Sequence, residues 1–589
     1  MDRRFLFAMA LIMAILLGPG LIFKKPPPAT VSGDSLATAA DSGRATGAGE
    51  TAPERAIPEP APGGRTPGTP AASAPTPGPQ TPEDTVVVVS GLYRYTFATR
   101  GARLLGAMMN GYTYTIEGLK DRPVELLEPD SDLLALELIA GRDTVRLDQW
   151  VFTPSSDSLT VAEEPVELSM SASHDGISVD LDYRFKPDEY QVMVRGTVTG
   201  LGPNGGLLLI GMGPGLAHTE SNRRESKRNM GFVTRNGGSK LTRFSSLDPG
   251  ETVTKPGPFE WVAVKSKYFV AAVMSIDEGS VPLSGVTATV APDAPKNPEL
   301  AAVWVSRPVT ADGLFEYRLY AGPMEYPRLK ALGHGFYDVN PYGWPGLRSL
   351  IRPVAVAARW VLVWMHDNLN LHYGLVLILF GVLVRVVLWP LNQKAMRSSI
   401  RMQAVQPLMK EIQEKHKDKP DVLQKEMFKL YKEHNVNPLG GCWPMLLPFP
   451  ILIALFFVFQ NTIELRGVSF MWLPDLSQKD PLYIIPVLMG VSMFLVSKVG
   501  QIGVEPNPQM KMMLYVMPVM MTVLFAGFAS GLNLYYAVQN LVSVPQQWYL
   551  AHERLRLNPP KKPVDPGPAP SRPEGQAPRP RQKKLKRRH

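Results

Sequence analysis

The 589-residue chain carries 62 Lys and Arg against 53 Asp and Glu, a formal net charge of +9, and a single cysteine, Cys442. One cysteine excludes an internal disulfide and a thiolate-rich metal centre, so any exported domain must rely on its own core. The apolar fraction, 45%, is ordinary, but long apolar runs near the N-terminus and after residue 370 are set apart by polar stretches; that unevenness excludes a purely soluble protein.

Phe5–Phe23 is an apolar run behind Arg3 and Arg4, long enough to cross ~30 Å of hydrocarbon as a helix. A cleaved signal peptide is the alternative, but no A-x-A-like site follows and Lys24, Lys25 and three prolines close the run. The reading is therefore a retained N-terminal transmembrane anchor over 1–23, with its N-terminus in the cytoplasm. Residues 24–84 read as a disordered Pro/Ala-rich linker: positions 24–83 hold 13 prolines and almost no large hydrophobes. As a coil it reaches roughly 45 Å root-mean-square.

From 85 to 340 the period changes to two. Ile177, Val179, Leu181, Tyr183 and Phe185 alternate with polar residues, Lys186-Pro187-Asp188-Glu189 turns the chain, and Tyr190, Val192 and Val194 alternate back. This is a hairpin with one buried face. Similar stretches at Thr85–Tyr95, Gly206–Gly211, Trp261–Val273 and Leu300–Val305 predict an all-β sandwich outside the membrane. In 347–370, Arg348, Arg352, Arg359 and His366 share one helical face while Leu350, Val354, Val361 and Trp364 cover much of the rest. That predicts an amphipathic helix lying in the membrane interface.

Five further spans are predicted within 371–550: Leu371–Leu391, Cys442–Gln460, Leu482–Ser497, Met512–Ala529 and Leu532–Leu550. With the anchor this makes a six-span α-helical membrane protein carrying a β-sandwich domain. Residues 391–441 carry 10 Lys and Arg against 6 acids, and the tail 551–589 carries 12 against 3, whereas 461–481 has two basic residues. The positive-inside rule then places both termini and 391–441 in the cytoplasm and the β-domain outside.

Arg385, within Leu383-Val384-Arg385-Val386-Val387, is the most informative side chain. An intramembrane charge costs several kcal/mol unless it faces water or snorkels. Snorkelling is open to it, because Pro390 marks the cytoplasmic end only ~7.5 Å away. On the last span Asn533, Tyr536, Asn540, Ser543 and Gln547 share a face, with Tyr535, Gln539 and Gln546 beside it. Such a stripe must face other helices or water, so it either ties the bundle together or lines a hydrated groove. Within 391–436, Met396, Ile400, Val405, Leu408 and Ile412 mark one amphipathic helix and Leu423, Met427, Leu430 and Tyr431 a second, a cytoplasmic hairpin turned at Lys419-Pro420-Asp421. Its apolar faces either pair or rest on a membrane or client. The tail ends in Lys583, Lys584, Lys586, Arg587 and Arg588, a polybasic run suited to anionic lipids or RNA phosphate. No P-loop, HExxH, nucleophile elbow or metal-ligand cluster occurs, so neither an enzyme nor a cofactor is expected.

Asn437-Pro438-Leu439-Gly440-Gly441-Cys442 opening a span resembles the YidC branch of the YidC/Oxa insertases. So do Val384-Arg385 before Trp389-Pro390-Leu391, Asp480-Pro481-Leu482-Tyr483-Ile484-Ile485-Pro486, and Gly531-Leu532-Asn533-Leu534-Tyr535-Tyr536. The anchor, exported β-domain and five-span core match the Gram-negative members. The resemblance implies a supersandwich-like periplasmic domain in the inner membrane system and a hydrophilic groove open to the cytoplasm and lipid. Arg385, Asn533, Tyr536 and Asn540 are its groove candidates. The implied partners are nascent membrane-protein clients, membrane lipids and, through the hairpin and basic tail, the ribosome; a Sec translocon is left open. Gly381 stands where many bacterial members carry a polar residue, and Pro448 where many carry Gln, so the groove is expected to be less polar here and that helix more kinked. The expected function is a membrane protein insertase and chaperone. The alternative is a transporter or channel using Arg385 as an anion site, which calls for an inverted repeat of broken helices that the sequence does not display.

Overall fold

The computed structural model describes residues 84–557 except 130, 203–204, 277–280, 344–345, 418, 435–448 and 504–507. The expected anchor, nearly all of the linker, the 437–442 motif, Pro448 and the basic tail lie outside the described residues.

Strict alternation builds the N-terminal part. In Ile177–Phe185 the inward Val179, Leu181, Tyr183 and Phe185 are fully buried, and the strand pairs antiparallel with Gln191–Thr199 in the register Phe185↔Val192, Leu181↔Gly196. Twenty such strands form an eleven-stranded and a nine-stranded sheet. The pairing among described residues is antiparallel except where Thr85–Ser90 meets Ser158–Val161. Inward side chains of both sheets fill one core, as period-two patterning requires. Tyrosines bolt the sheets together across it: Tyr95, from the larger sheet, donates to the Ala321 carbonyl of the smaller at 2.6 Å, and Tyr183 donates back to the Ala102 carbonyl at 3.1 Å. The stretch Trp261–Val273 resolves into two paired strands, Trp261–Lys265 and Phe269–Met274, both wholly buried.

That burial includes Lys265, 2% exposed, whose Nζ donates to Asn340 Oδ1 at 3.4 Å. Desolvation, with Arg243 adding to it, pulls its ammonium down from 10.5 to about 7. Between those values the unfolded chain binds the extra proton, so this group makes folding stability rise with pH across that window. Lys265→Met removes the linkage. The variant is expected to unfold at higher temperature near neutral pH and to lose the pH slope, read by far-UV circular dichroism; an unaltered slope would assign the linkage elsewhere.

Among the described residues nine α-helices occur: α1 (Arg223–Asn229) and α2 (Tyr326–Ala331) on the β-domain, then α3 (Arg348–Leu369), α4 (Tyr373–Lys415), α5 (Pro420–Glu433), α6 (Phe449–Asn461), α7 (Ile484–Gly500), α8 (Pro508–Phe525) and α9 (Ser530–Leu557). Gly381 of α4 lies against Tyr535 and Val538 of α9, and Trp389 against Gln546, so these helices run in the same direction. Ser492 of α7 meets Asn540, and Gly500 meets Gln547, so α7 runs with them. Only α4, over Tyr373–Gln393, is long and apolar enough by itself to cross a membrane among the described residues; α6, α7 and α8 contain shorter apolar segments. The expectation of six full spans is therefore narrowed to one clear span in a helical C-terminal region. At ~1.5 Å per residue, the 17 residues of α7 and 18 of α8 extend ~25–27 Å, short of ~30 Å of hydrocarbon. In α9 the polar stripe dilutes the apolar run.

Two amphipathic elements acquire partners within the protein. The charged face of α3 docks on protein: Arg359, 6% exposed, pairs with Glu464 and lies over the Tyr326 ring at 5.5 Å, and Arg352 lies over Tyr337 at 4.2 Å. Its outward face carries Trp360 and Trp364, rings 6.4 Å apart and exposed. In the hairpin the first amphipathic helix is continuous with α4, and Val405 and Leu430 are buried against each other with Met409 and Ile412 beside them. The hairpin's apolar faces therefore pair.

Candidate functional site

Arg385 stands on the face of α4 that meets α9. Its Nη2 donates to Gln546 Oε1 at 2.5 Å, and Gln546 Nε2 donates onward to the Trp389 carbonyl at 3.3 Å. Gln546 is 1% exposed. Gly381, one turn before the arginine, permits this approach: a Cβ there would sit 3.3 Å from Val538 Cγ1 and 3.5 Å from the Tyr535 ring and carbonyl. Tyr535 packs beside Gly381 and also meets Phe380, with ring centroids 5.7 Å apart.

The structure distributes the other candidates along α9. Asn533 is fully buried and its Nδ2 donates to the Phe525 carbonyl at 2.9 Å, closing the end of α8. Tyr536 is half-buried between the rings of Phe525 and Tyr535, at 5.6 and 5.2 Å. Asn540 Nδ2 donates to Ser492 Oγ at 3.2 Å, and that hydroxyl donates to the Met489 carbonyl. Part of the polar stripe is therefore spent on tying α9 to α7 and α8. Three buried atoms of this region, Arg385 Nε, Tyr535 Oη and Asn533 Oδ1, have no protein hydrogen-bond partner. Such atoms are costly when dry.

At the β-domain end the bundle is closed by a buried ion pair that no local sequence pattern marks. Arg466, 3% exposed on its side chain, pairs with Glu220 at 2.7 Å and also donates to the Thr113 and Thr219 carbonyls. Phe269 lies beneath its guanidinium at 5.4 Å. Glu220 further accepts from Thr115 Oγ1 at 3.1 Å and Thr219 Oγ1 at 2.8 Å. The segment between α6 and α7 thereby docks on the β-domain. The same segment reaches the spans: Ser530, opening α9, donates its N–H to the Gln478 carbonyl at 2.6 Å and its hydroxyl to the Asp475 carbonyl at 3.2 Å. Asp480, fully buried, accepts from the Ile485 N–H at 2.7 Å and the Leu482 N–H at 3.0 Å, holding the first turn of α7. Arg466 carries no local sequence signal, because its acceptor lies 246 positions away. At the other end Arg554 caps α7 by donating to the Gly500 and Ile502 carbonyls, each at 2.9 Å.

Outward, the helices present Leu379, Leu383, Val386 and Val387 of α4, Val487, Val491 and Leu495 of α7, and Val516, Val519 and Val523 of α8, all exposed. An apolar surface of this extent needs lipid to cover it. A β-rich domain docked onto helices with exposed apolar faces, and an arginine held between two of those helices, defines a membrane-embedded protein with a large extramembrane domain. Residues 364–556 match the family described as 60Kd inner membrane protein, and residues 85–355 match the YidC periplasmic domain. The membrane protein insertase YidC of Prosthecochloris aestuarii is 32% identical over 496 residues, covering 80% of this chain and 82% of that one. The YidC of Chloroherpeton thalassium is 32% identical over 499 residues, covering 80% and 83%. A solved structure of an active YidC insertase with its first transmembrane domain resolved is 18% identical, covers 80% of this chain and 93% of that one, and gives a TM-score of 0.32. This chain belongs to the YidC family of membrane protein insertases.

Proposed function

We propose that this protein inserts integral membrane proteins and helps them fold, receiving a client's hydrophilic flank beside Arg385 while the client's apolar segment slides along lipid-exposed helix faces. The observation that carries this reading is the partner of Arg385: a neutral amide, Gln546, holds the guanidinium in place without cancelling its charge. The unpartnered Arg385 Nε and the unpartnered hydroxyl of Tyr535 favour water or client polar groups at this level. Short α7 and α8 favour a thinned hydrocarbon path, which matters because each charged residue costs about 2.5–3.5 kcal/mol at a helix centre. The driving force is partitioning of the client's apolar residues and, for acidic flanks, the membrane potential.

Six spans with both termini in the cytoplasm, a groove lined by Arg385, Asn533, Tyr536 and Asn540, and an α3 lying in the interface complete this reading. The hairpin and basic tail would receive clients from the ribosome; a Sec translocon is compatible with it. The test is photocrosslinking from positions 385 and 536 to a ribosome-stalled nascent membrane protein. Crosslinks from both sites, absent from lipid-facing controls such as Val519, are expected. Silence at both with the client bound would remove the groove and favour a transporter.

A further inference from the structure

Helix α1 packs four cationic side chains, Arg223, Arg224, Lys227 and Arg228, and one carboxylate, Glu225, into seven residues. The carboxylates that serve them are already shared. Glu299 takes His218 Nε2 at 2.6 Å, Arg223 Nη2 at 3.0 Å and Lys227 Nζ at 3.3 Å, while Glu225 pairs with Lys267 at 2.9 Å. Positive charge is therefore in excess, and it is accessible: the Arg223 side chain is 74% exposed and Arg224 is exposed.

The position of α1 gives that excess a direction. Two residues before it, Ser221 donates to Gln478 Oε1 at 2.7 Å, and the Gln478 carbonyl receives the Ser530 N–H that opens α9. One side-chain hydrogen bond thus separates α1 from the outer ends of the membrane helices. The exposed side chains of the segment that carries Gln478 include Met471, Leu482 and Tyr483, apolar and aromatic groups of the kind found at a hydrocarbon boundary, and Lys479 beside them. The headgroup layer beyond that boundary is only ~5–7 Å deep on each side. We propose that α1 is a contact for anionic phospholipid: Arg223 and Arg224 meet headgroup phosphates of the leaflet on the β-domain's side and hold that domain against the membrane. A guanidinium fork suits phosphate oxygens, and the charge is complementary. The proposal rests on the membrane placement given above.

The test uses the full-length protein in nanodiscs of phosphatidylglycerol and phosphatidylcholine in equal amounts, with a photoreactive residue at position 224 and, separately, at Val487 on the lipid-facing side of α7. Crosslinks from 224 are expected to favour phosphatidylglycerol, to fall with added salt, and to drop roughly fivefold when Arg223 is replaced by Gln. If Arg223→Gln does not fold, the lipid preference and salt titration in the otherwise native background decide the matter. Equal labelling of both lipids, silence at 224, or crosslinks from 224 to protein, with Val487 still labelling lipid, overturn the proposal and leave the membrane placement standing. Silence at Val487 as well overturns both.

Discussion

Arg466→Ala is expected to cost about 3–5 kcal/mol of folding stability, because it leaves Glu220 buried without its counter-charge. Glu220 is 7% exposed, and the hydroxyls of Thr115 and Thr219 that donate to it are neutral, so they do not replace the arginine's charge. Glu220→Ala is expected to be comparably damaging, stranding a guanidinium over Phe269. The double replacement Arg466→Met with Glu220→Leu removes both charges and is expected to be milder than either single change. Thermal unfolding of the full-length protein in detergent, with hydrogen exchange at the Ser530 amide, reads both the stability and the undocking. A purely additive double variant would mean that the pair does not hold the junction. Because the same segment also carries Asp475, Gln478 and Asp480, undocking is expected to loosen the starts of α7 and α9 together.

Arg385→Ala is expected to lower insertion of clients with polar or acidic flanks about tenfold to a hundredfold, in line with ~1.5–3 kcal/mol for a hydrogen bond to a charged group. Clients with short neutral flanks should be affected less. Arg385→Lys retains charge but loses the fork that spans Gln546 and a client, so partial activity is expected. Gln546→Glu separates charge from packing: the shape is kept, while the arginine gains an internal counter-ion that competes with an acidic flank. That variant is expected to fold and to fall about tenfold on acidic-flanked clients. Protease-protection assays on reconstituted proteoliposomes measure each variant. Full activity of Gln546→Glu on acidic flanks would exclude an electrostatic role for Arg385.

Gly381 illustrates how a local departure acquires meaning from packing. In the chain it reads as a lost polar group and a drier groove. In the folded protein Gly381 lets α4 lie against Tyr535 and Val538 of α9, and the Tyr535 hydroxyl is a buried atom with no protein partner. The polar groups beside Arg385 at this level, Tyr535 and Gln546, thus come from α9 rather than from α4. Arg359 shows the converse: in the chain it is one cation on the charged face of an amphipathic helix, and in the folded protein Glu464 and the Tyr326 ring bury it.

What the chain determined by itself was everything that repeats over a short distance. The period-two rows that became Ile177–Phe185 and Gln191–Thr199, the apolar run of α4 with Arg385 inside it, and the polar stripe of α9 all follow from which side of a strand or helix a residue occupies. Tertiary structure alone decided which partners those faces meet. Arg385 finds Gln546 across 161 positions and Arg466 finds Glu220 across 246, because α4, α7 and α9 run side by side and the α6–α7 segment folds back onto the β-domain. A side chain's periodicity is set by its own backbone, but the fate of a buried charge is set by whichever distant group arrives to pair with it.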